Sequence, residues 1–329
     1  MIDRLGAVVA APSGPRCKLV VVHPERKAQR ALQRLVGATQ CPVEVFDAVD
    51  AALKAIDPTS IVVVDAALAQ ARPALRETAA KAWIAVPGEG LAPAEAGVID
   101  GLLTAGWAHV VAHQMPILAE ELLATVQKLM RGQVFGLEKY MAWGAEVRAY
   151  TLSDARDRDD VVGSLARDVV AVGLPERVGS LVSVIADELL ANALYVAPVD
   201  ATGTRIRSAE QRDRSRVLAG RDVVTVRWAT DARYLAIEVR DKWGSIDLPA
   251  IPPRLAAGGK QATSSEGGMG LSLAYACCNQ FVIGCAPSTL TEVVALLDVR
   301  YKPTELGRTA SFHTFVGTAD EAAFVGGAS

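Results

Sequence analysis

From Cys17 onward, short uninterrupted apolar runs alternate with stretches whose apolar residues recur at helical spacing. Lys18–Val22, Val43–Phe46, Ile61–Val64, Ala82–Val86 and His109–Ala112 read as strands. They are apolar at successive positions, which predicts strands buried on both faces. Between them, Pro24–Leu35, Asp47–Ile56, Pro73–Lys81, Ala94–Ala105 and Ile117–Met130 predict helices, the third with proline at a favoured first position. This alternation predicts a doubly wound five-stranded parallel sheet over residues 17–132, behind an N-terminal extension of residues 1–16.

The pattern changes after Arg131 and Gly132. Residues 133–145 are expected to connect two domains as a continuing helix or a dimerisation segment. Glu146–Leu152 then reads as a strand, Arg158–Val172 as a helix, and Glu176–Tyr195 as a helix with a broad apolar face from Ile185, Leu189, Leu190, Ala193 and Leu194. Asp200–Arg221 is an arginine-rich polar stretch, which predicts a solvated loop. Val223–Trp228 and Leu235–Val239 form a strand pair around Thr230-Asp231-Ala232. Asp247–Ser265 holds three prolines and two glycines and predicts a long irregular connection. A helix, Leu271–Asn279, and three strands, Gln280–Cys285, Thr291–Asp298 and Ser311–Phe315, complete a second α/β unit over residues 146–316. Residues 317–329 are expected to fray.

Three stretches carry candidate chemistry. Glu188 and Asn192 stand four apart on a predicted helix, so a carboxylate and an amide share one edge. Such a carboxylate can orient water, and an amide oxygen can hold a hard cation beside phosphate oxygens. Asp241 closes an alternating strand and is followed by Gly244; a carboxylate at a strand end can accept from an exocyclic amino group, and glycine lets backbone approach a flat base. Gly267, Gly268 and Gly270, followed by Leu271, read as a glycine-rich turn opening a helix, where free amides form an anion site.

In this order, Glu-x-x-x-Asn, Asp-x-x-Gly and Gly-Gly-x-Gly-Leu resemble the N, G1 and G2 boxes of the GHKL superfamily of ATP-binding domains. The resemblance implies a Bergerat-type α/β sandwich, a mixed sheet covered on one face by helices, with ATP and Mg2+ as cofactors. It makes Glu188 the catalytic base and Asn192 the magnesium ligand. Asp241 and Gly244 become adenine contacts, and Gly267, Gly268, Gly270 and Leu271 surround the phosphates. Ser311 holds the place of a threonine usual in the last strand of the family, and Asp247–Ser265, with Arg254 and Lys260, resembles the ATP lid. Strand, helix and box helix in succession are closest to the anti-sigma-factor serine/threonine kinases of that superfamily. The implied function is an ATPase or serine/threonine-type protein kinase regulating a partner protein; the alternative is an ATP-sensing scaffold that does little chemistry.

The first half resembles a response-regulator receiver, with Asp65 at the end of the third strand where receivers carry their phosphoacceptor. The surrounding chemistry departs from that pattern. His23-Pro24-Glu25 stands where an acidic magnesium pair is expected, Val86-Pro87 replaces a hydroxyl residue, and Ala112 or His113 replaces a lysine. A phosphoryl group on Asp65 would lack most of its charge compensation. The expectation is a pseudo-receiver retained for contacts.

Composition narrows the rest. The 329 residues exceed the roughly 100–200 of one domain. A net charge of −3 gives no global basic field for nucleic acid. Hydrophobic content of 51% with 5% aromatics predicts cores built from Ala, Val and Leu. Five cysteines with no Cys-x-x-Cys pair indicate neither zinc nor a disulfide framework. Met1–Pro15 is a poor signal peptide, and no apolar run approaching the ~20 residues of a bilayer span is expected. A cytoplasmic protein without membrane contact follows, with a regulatory protein partner; the connecting segment allows a homodimer.

Overall fold

The computed structural model describes residues 17–88, 96–208, 215–258, 269–300 and 310–326. Strands β1 (Lys18–Val22), β2 (Val43–Phe46), β3 (Ser60–Asp65), β4 (Ala82–Val86) and β5 (His109–Val110) run parallel in the order β2-β1-β3-β4-β5. Their continuous apolar runs have a direct cause in packing. Leu19, Val21, Ile61, Val63 and Ile84 pack with Leu32 and Val36 of α1 (Arg26–Gly37) and Leu118, Leu122 and Val126 of α5 (Ile117–Arg131). Val20, Val22, Val62, Val64 and Ala85 belong to a second cluster with α2 (Val49–Leu53), α3 (Ala66–Ala71) and α4 (Ala96–Thr104). Helix α3 starts at Ala66, upstream of the expected Pro73, because the Asp65 side chain accepts from the Leu68 amide and caps it. Pro73–Glu77 is a separate 3-10 turn.

In the second half, β6 (Val147–Thr151), β7 (Thr225–Thr230), β8 (Tyr234–Asp241), β10 (Leu290–Asp298) and β9 (Gln280–Ala286) are antiparallel neighbours in that spatial order. The last strand, β11 (Ser311–Val316), lies parallel to β9. It also pairs antiparallel with β5, through His109↔His313 and Val110↔Phe312. The two expected sheets are thereby joined edge to edge into one mixed sheet of eleven strands.

Buried polar groups fasten this seam. The Ala112 amide donates to Ser311 Oγ at 2.8 Å, and the Thr314 amide donates to the Ala108 carbonyl at 2.9 Å. The buried Glu121 of α5 faces His113 Nδ1 at 3.0 Å and His313 Nε2 at 2.8 Å. Burial alone would raise the Glu121 carboxyl, but hydrogen bonds to both imidazoles outweigh it and hold the group at about 2.

Helices α6 (Arg158–Ala171), α7 (Glu176–Ala191) and α9 (Met269–Ala276) cover one face of the second half, with Leu165, Val182, Ile185 and Ala274 clustered against Leu235, Ile237, Val239 and Val293. The opposite face is covered as well. Gly132 ends α5 in the left-handed conformation, and the connecting segment crosses the sheet as a strap with a 3-10 turn at Leu137–Tyr140, where a continuing helix or a dimerisation segment was expected. Two buried strand carboxylates hold it: the Gly136 amide donates to Glu292 at 2.9 Å and the Leu137 amide to Glu238 Oε1 at 2.9 Å. Residues 319–326, expected to fray, form helix α10 (Ala319–Gly326), whose Glu321 accepts from the Phe135 amide at 2.9 Å.

Two further expectations are revised. Helix α7 and its continuation, Glu176–Val196, make a 21-residue run of hydropathy 1.3, long and apolar enough to cross a membrane; 61% of it is buried inside the fold, as a core helix requires. At its described residues, the arginine-rich stretch is held to the protein by Arg207 and Arg216. Arg207 pairs with Asp222 at 2.7 and 2.6 Å, and Arg216 donates to the Leu194 carbonyl at 3.2 Å. All five cysteines are free thiols.

Candidate functional site

Helix α7 buries Val182, Ile185, Ala186, Leu189 and Leu190, and its edge carries Glu188 toward the start of α9 and Asn192 toward the second motif. The regular helix stops at Ala191 and passes into a π turn, Asn192–Val196, closed by the Ala197 amide on the Asn192 carbonyl at 2.9 Å. Such turns widen a helix locally and are frequent at functional sites. Ser245 then donates to the Ala197 carbonyl at 2.6 Å, setting the end of this turn against the residues that follow Asp241.

Strand β8 delivers Asp241 as a buried carboxylate, 3% exposed, at its C-terminal end. Burial pushes its carboxyl up to about 7, against the opposing pull of amides at Trp243 and Gly244; the Trp243 amide donates at 2.9 Å. Arg221 clamps the turn, donating to the carbonyls of Lys242, Trp243 and Ser288 with its guanidinium 4.5 Å over the Trp243 ring.

Asp241 and Asn192 line one cavity of about 170 Å³, with Val196, Ile246, Ile251, Leu255 and Leu271 as apolar wall and Arg205, Asp247 and Arg254 as charged groups. Helix α8 (Ile251–Ala256), with Pro252 and Pro253 in its first turn, supplies part of that wall inside a stretch expected to be irregular. Thr291 lines the cavity too, and nothing in its local sequence marks it: it arrives because β10 pairs with β8 in the register Thr291↔Asp241. Arg205 reaches the cavity from the arginine-rich stretch.

The remaining expected site residues lie elsewhere. Gly244 has a φ of +55°, and a Cβ there would stand 2.2 Å from the Ala286 carbonyl oxygen and 2.6 Å from the Thr289 amide nitrogen. Its missing side chain therefore makes room for the β9–β10 turn, where room for a base was expected. The Glu188 carboxylate sits one turn from Asn192 against the start of α9, so that a Cβ on Gly270 would meet Glu188 Oε2 at 2.5 Å. Ser311 belongs to the seam, fully buried, its hydroxyl between the Ala112 amide and His113 Nδ1. Gly267, Gly268 and Lys260 lie outside the described residues.

The cavity brings together an acceptor at its buried end, apolar walls suited to a flat ring, and an amide with two guanidinium groups suited to an anion. Among the described residues, no set of three or more His, Cys, Asp or Glu side chains is placed to hold a metal ion. Asn192 alone suits magnesium, which keeps several waters and takes its other ligands from phosphate oxygens.

In the first half, Asp65 is equally buried, with one oxygen engaged and the other closely hemmed in. Its Oδ1 accepts from the Leu68 amide at 2.8 Å, a Cβ on Gly88 would stand 2.8 Å from Oδ2, and His23 Nε2 lies 3.6 Å away. The His23 ring accepts the Glu25 amide at Nδ1, 3.1 Å, and so turns its other nitrogen toward Asp65. Compared with protein-family models and with curated proteins, the sequence matches none.

Proposed function

We propose that this chain is an ATP-binding signalling protein with a GHKL-type nucleotide site in its second half and a receiver-like first half that no longer uses phosphoryl chemistry. The observation that carries the reading is the cavity shared by Asp241 and Asn192, two motif residues far apart in sequence. In this reading, ionised Asp241 accepts a hydrogen bond from the adenine amino group, and Val196, Ile246 and Leu255 flank the ring. Arg205 and Arg254 offset phosphate charge, and Asn192 would hold a magnesium ion. The magnesium supplies charge neutralisation of the phosphates when bound.

For an ATPase or a serine/threonine-type kinase, Glu188 takes the proton from water or from a partner's hydroxyl as that oxygen attacks the terminal phosphorus and ADP leaves. The position of Glu188 against Gly270, and not among the cavity-lining residues, favours a second reading, an ATP sensor that acts through its partners. One calorimetric titration with magnesium and the non-hydrolysable analogue AMP-PNP tests the site: the parent chain binds and Asp241→Ala does not. Equal binding by the two, or none by the parent, removes the nucleotide assignment. Steady ATP turnover that is lost in Glu188→Gln selects the enzyme; binding without turnover selects the sensor.

A further inference from the structure

Helix α8 packs against α4 of the first half, against α9 and against the turn at Leu248–Ala250. Ile251, Arg254 and Leu255 face the cavity. Ile251 and Leu255 share one buried cluster with Ile99, Leu102 and Leu103 of α4, each of the three fully buried. The orientation of α4 follows from its other residues. Gly101 faces α3, since a Cβ there would stand 2.3 Å from Gln70 Nε2, and Gln70 donates to the Gly97 carbonyl. With about 100° between successive residues of a helix, Ile99 and Leu103 share the edge away from Gly97 and Gly101, toward the second half.

We propose that α4 is a positioning element of the nucleotide cavity, so that filling the cavity and docking of the first half on α8 favour one another. The proposal rests on the nucleotide reading and assigns its regulation. A six-residue helix with two prolines in its first turn has little stability of its own. Its place is fixed by what it packs on, and a wall carrying Arg254 that rests on α4 moves when α4 moves. Linkage is reciprocal: whatever loosens α4 from α8 weakens the nucleotide, and the nucleotide tightens α4. A partner bound to the first half thereby reaches the cavity without touching it.

Two measurements on the full chain test this. In the unmodified protein, saturating magnesium and AMP-PNP slow amide exchange in α4 as well as in the cavity-lining segments. In Leu103→Ala, the Kd for AMP-PNP rises about tenfold at unchanged stoichiometry, within the usual range of coupling between sites, and Leu103→Met restores it. Leu32→Ala, an equally buried leucine on the face of the first half away from α8, loses stability and keeps the parental Kd. Exchange slowed only around the cavity together with a parental Kd in Leu103→Ala overturns the proposal. Equal loss of affinity in Leu32→Ala and Leu103→Ala overturns it too, because the effect is then global stability. Absence of any binding by the unmodified chain removes the nucleotide reading itself, and this proposal with it.

Discussion

Two aspartates, Asp65 and Asp241, occupy the same kind of place, the C-terminal end of a buried strand, and both are 3% exposed. What surrounds them differs. Asp65 spends one oxygen on the cap of α3 and meets Gly88 with the other, with His23 filling the space in front. Asp241 accepts amides from its own turn and opens onto a cavity. A buried carboxylate closely hemmed in by its neighbours has little room for a ligand; one that adjoins unfilled space retains capacity for one. The distinction comes from the neighbours, since the residue type and its position on the strand are shared.

The comparison is broken or sharpened first at the glycines beside the two carboxylates. Gly244→Ala is expected to cost more than about 3 kcal/mol in urea unfolding, from a disfavoured backbone and overpacking against fixed main chain. Gly88→Ala meets one side-chain oxygen and is expected to cost about 1 kcal/mol. Equal losses would mean that the Asp241 turn is no more rigidly framed than the Asp65 pocket.

Next comes Asp241 itself. Asp241→Asn is expected to weaken AMP-PNP binding by roughly 10–100-fold at pH 8, the cost of an unmet hydrogen bond in a buried site. The same change is expected to stabilise the unliganded protein. A carboxyl raised from 3.8 to about 7 in the folded chain binds its proton more tightly there than when unfolded. The aspartate therefore costs stability increasingly as pH rises from about 4 to 7 and by a constant amount above that. The melting-temperature advantage of Asp241→Asn should accordingly be largest at pH 8 and shrink toward pH 5. Nucleotide affinity of the parent runs the other way, falling roughly tenfold from pH 8 to pH 6 as the acceptor is protonated. A pH-independent difference between parent and variant would show that Asp241 is ionised throughout this range.

The smallest effects belong to Asp65. Asp65→Ala removes a helix cap and should cost about 0.5–2 kcal/mol while leaving AMP-PNP affinity at the parental value in calorimetry. Acetyl phosphate or beryllofluoride with magnesium should produce no saturable amide shifts centred on Asp65 by NMR. Saturable shifts there would make it a working acceptor despite His23 and the cap.

Much of the local structure is legible in the sequence. The limits of β1, β2 and β4 coincide with those of the apolar runs, and Glu188, Asn192, Asp241 and Leu271 stand out as candidates from residue type and spacing. Other features have no local signal. The strap is one: its turn is held by Glu238 and Glu292, distant carboxylates that look in sequence like the polar positions of a half-exposed sheet. Thr291 and Arg205 reach the cavity through strand register and loop path, neither of which leaves a periodicity behind.

By itself the sequence determined most strands and the main helices of both halves and singled out Glu188, Asn192 and Asp241 as candidates, because hydrophobic period and motif spacing act within a few turns of chain. Only the tertiary structure decided that β11 joins the two sheets through His109↔His313, that α4 packs against α8, that Gly244 yields space to backbone and that Ser311 belongs to the seam. Each of these depends on packing or hydrogen bonds between residues distant along the chain. Their free energy exists only once the intervening chain has closed into place, so local sequence carries no trace of it.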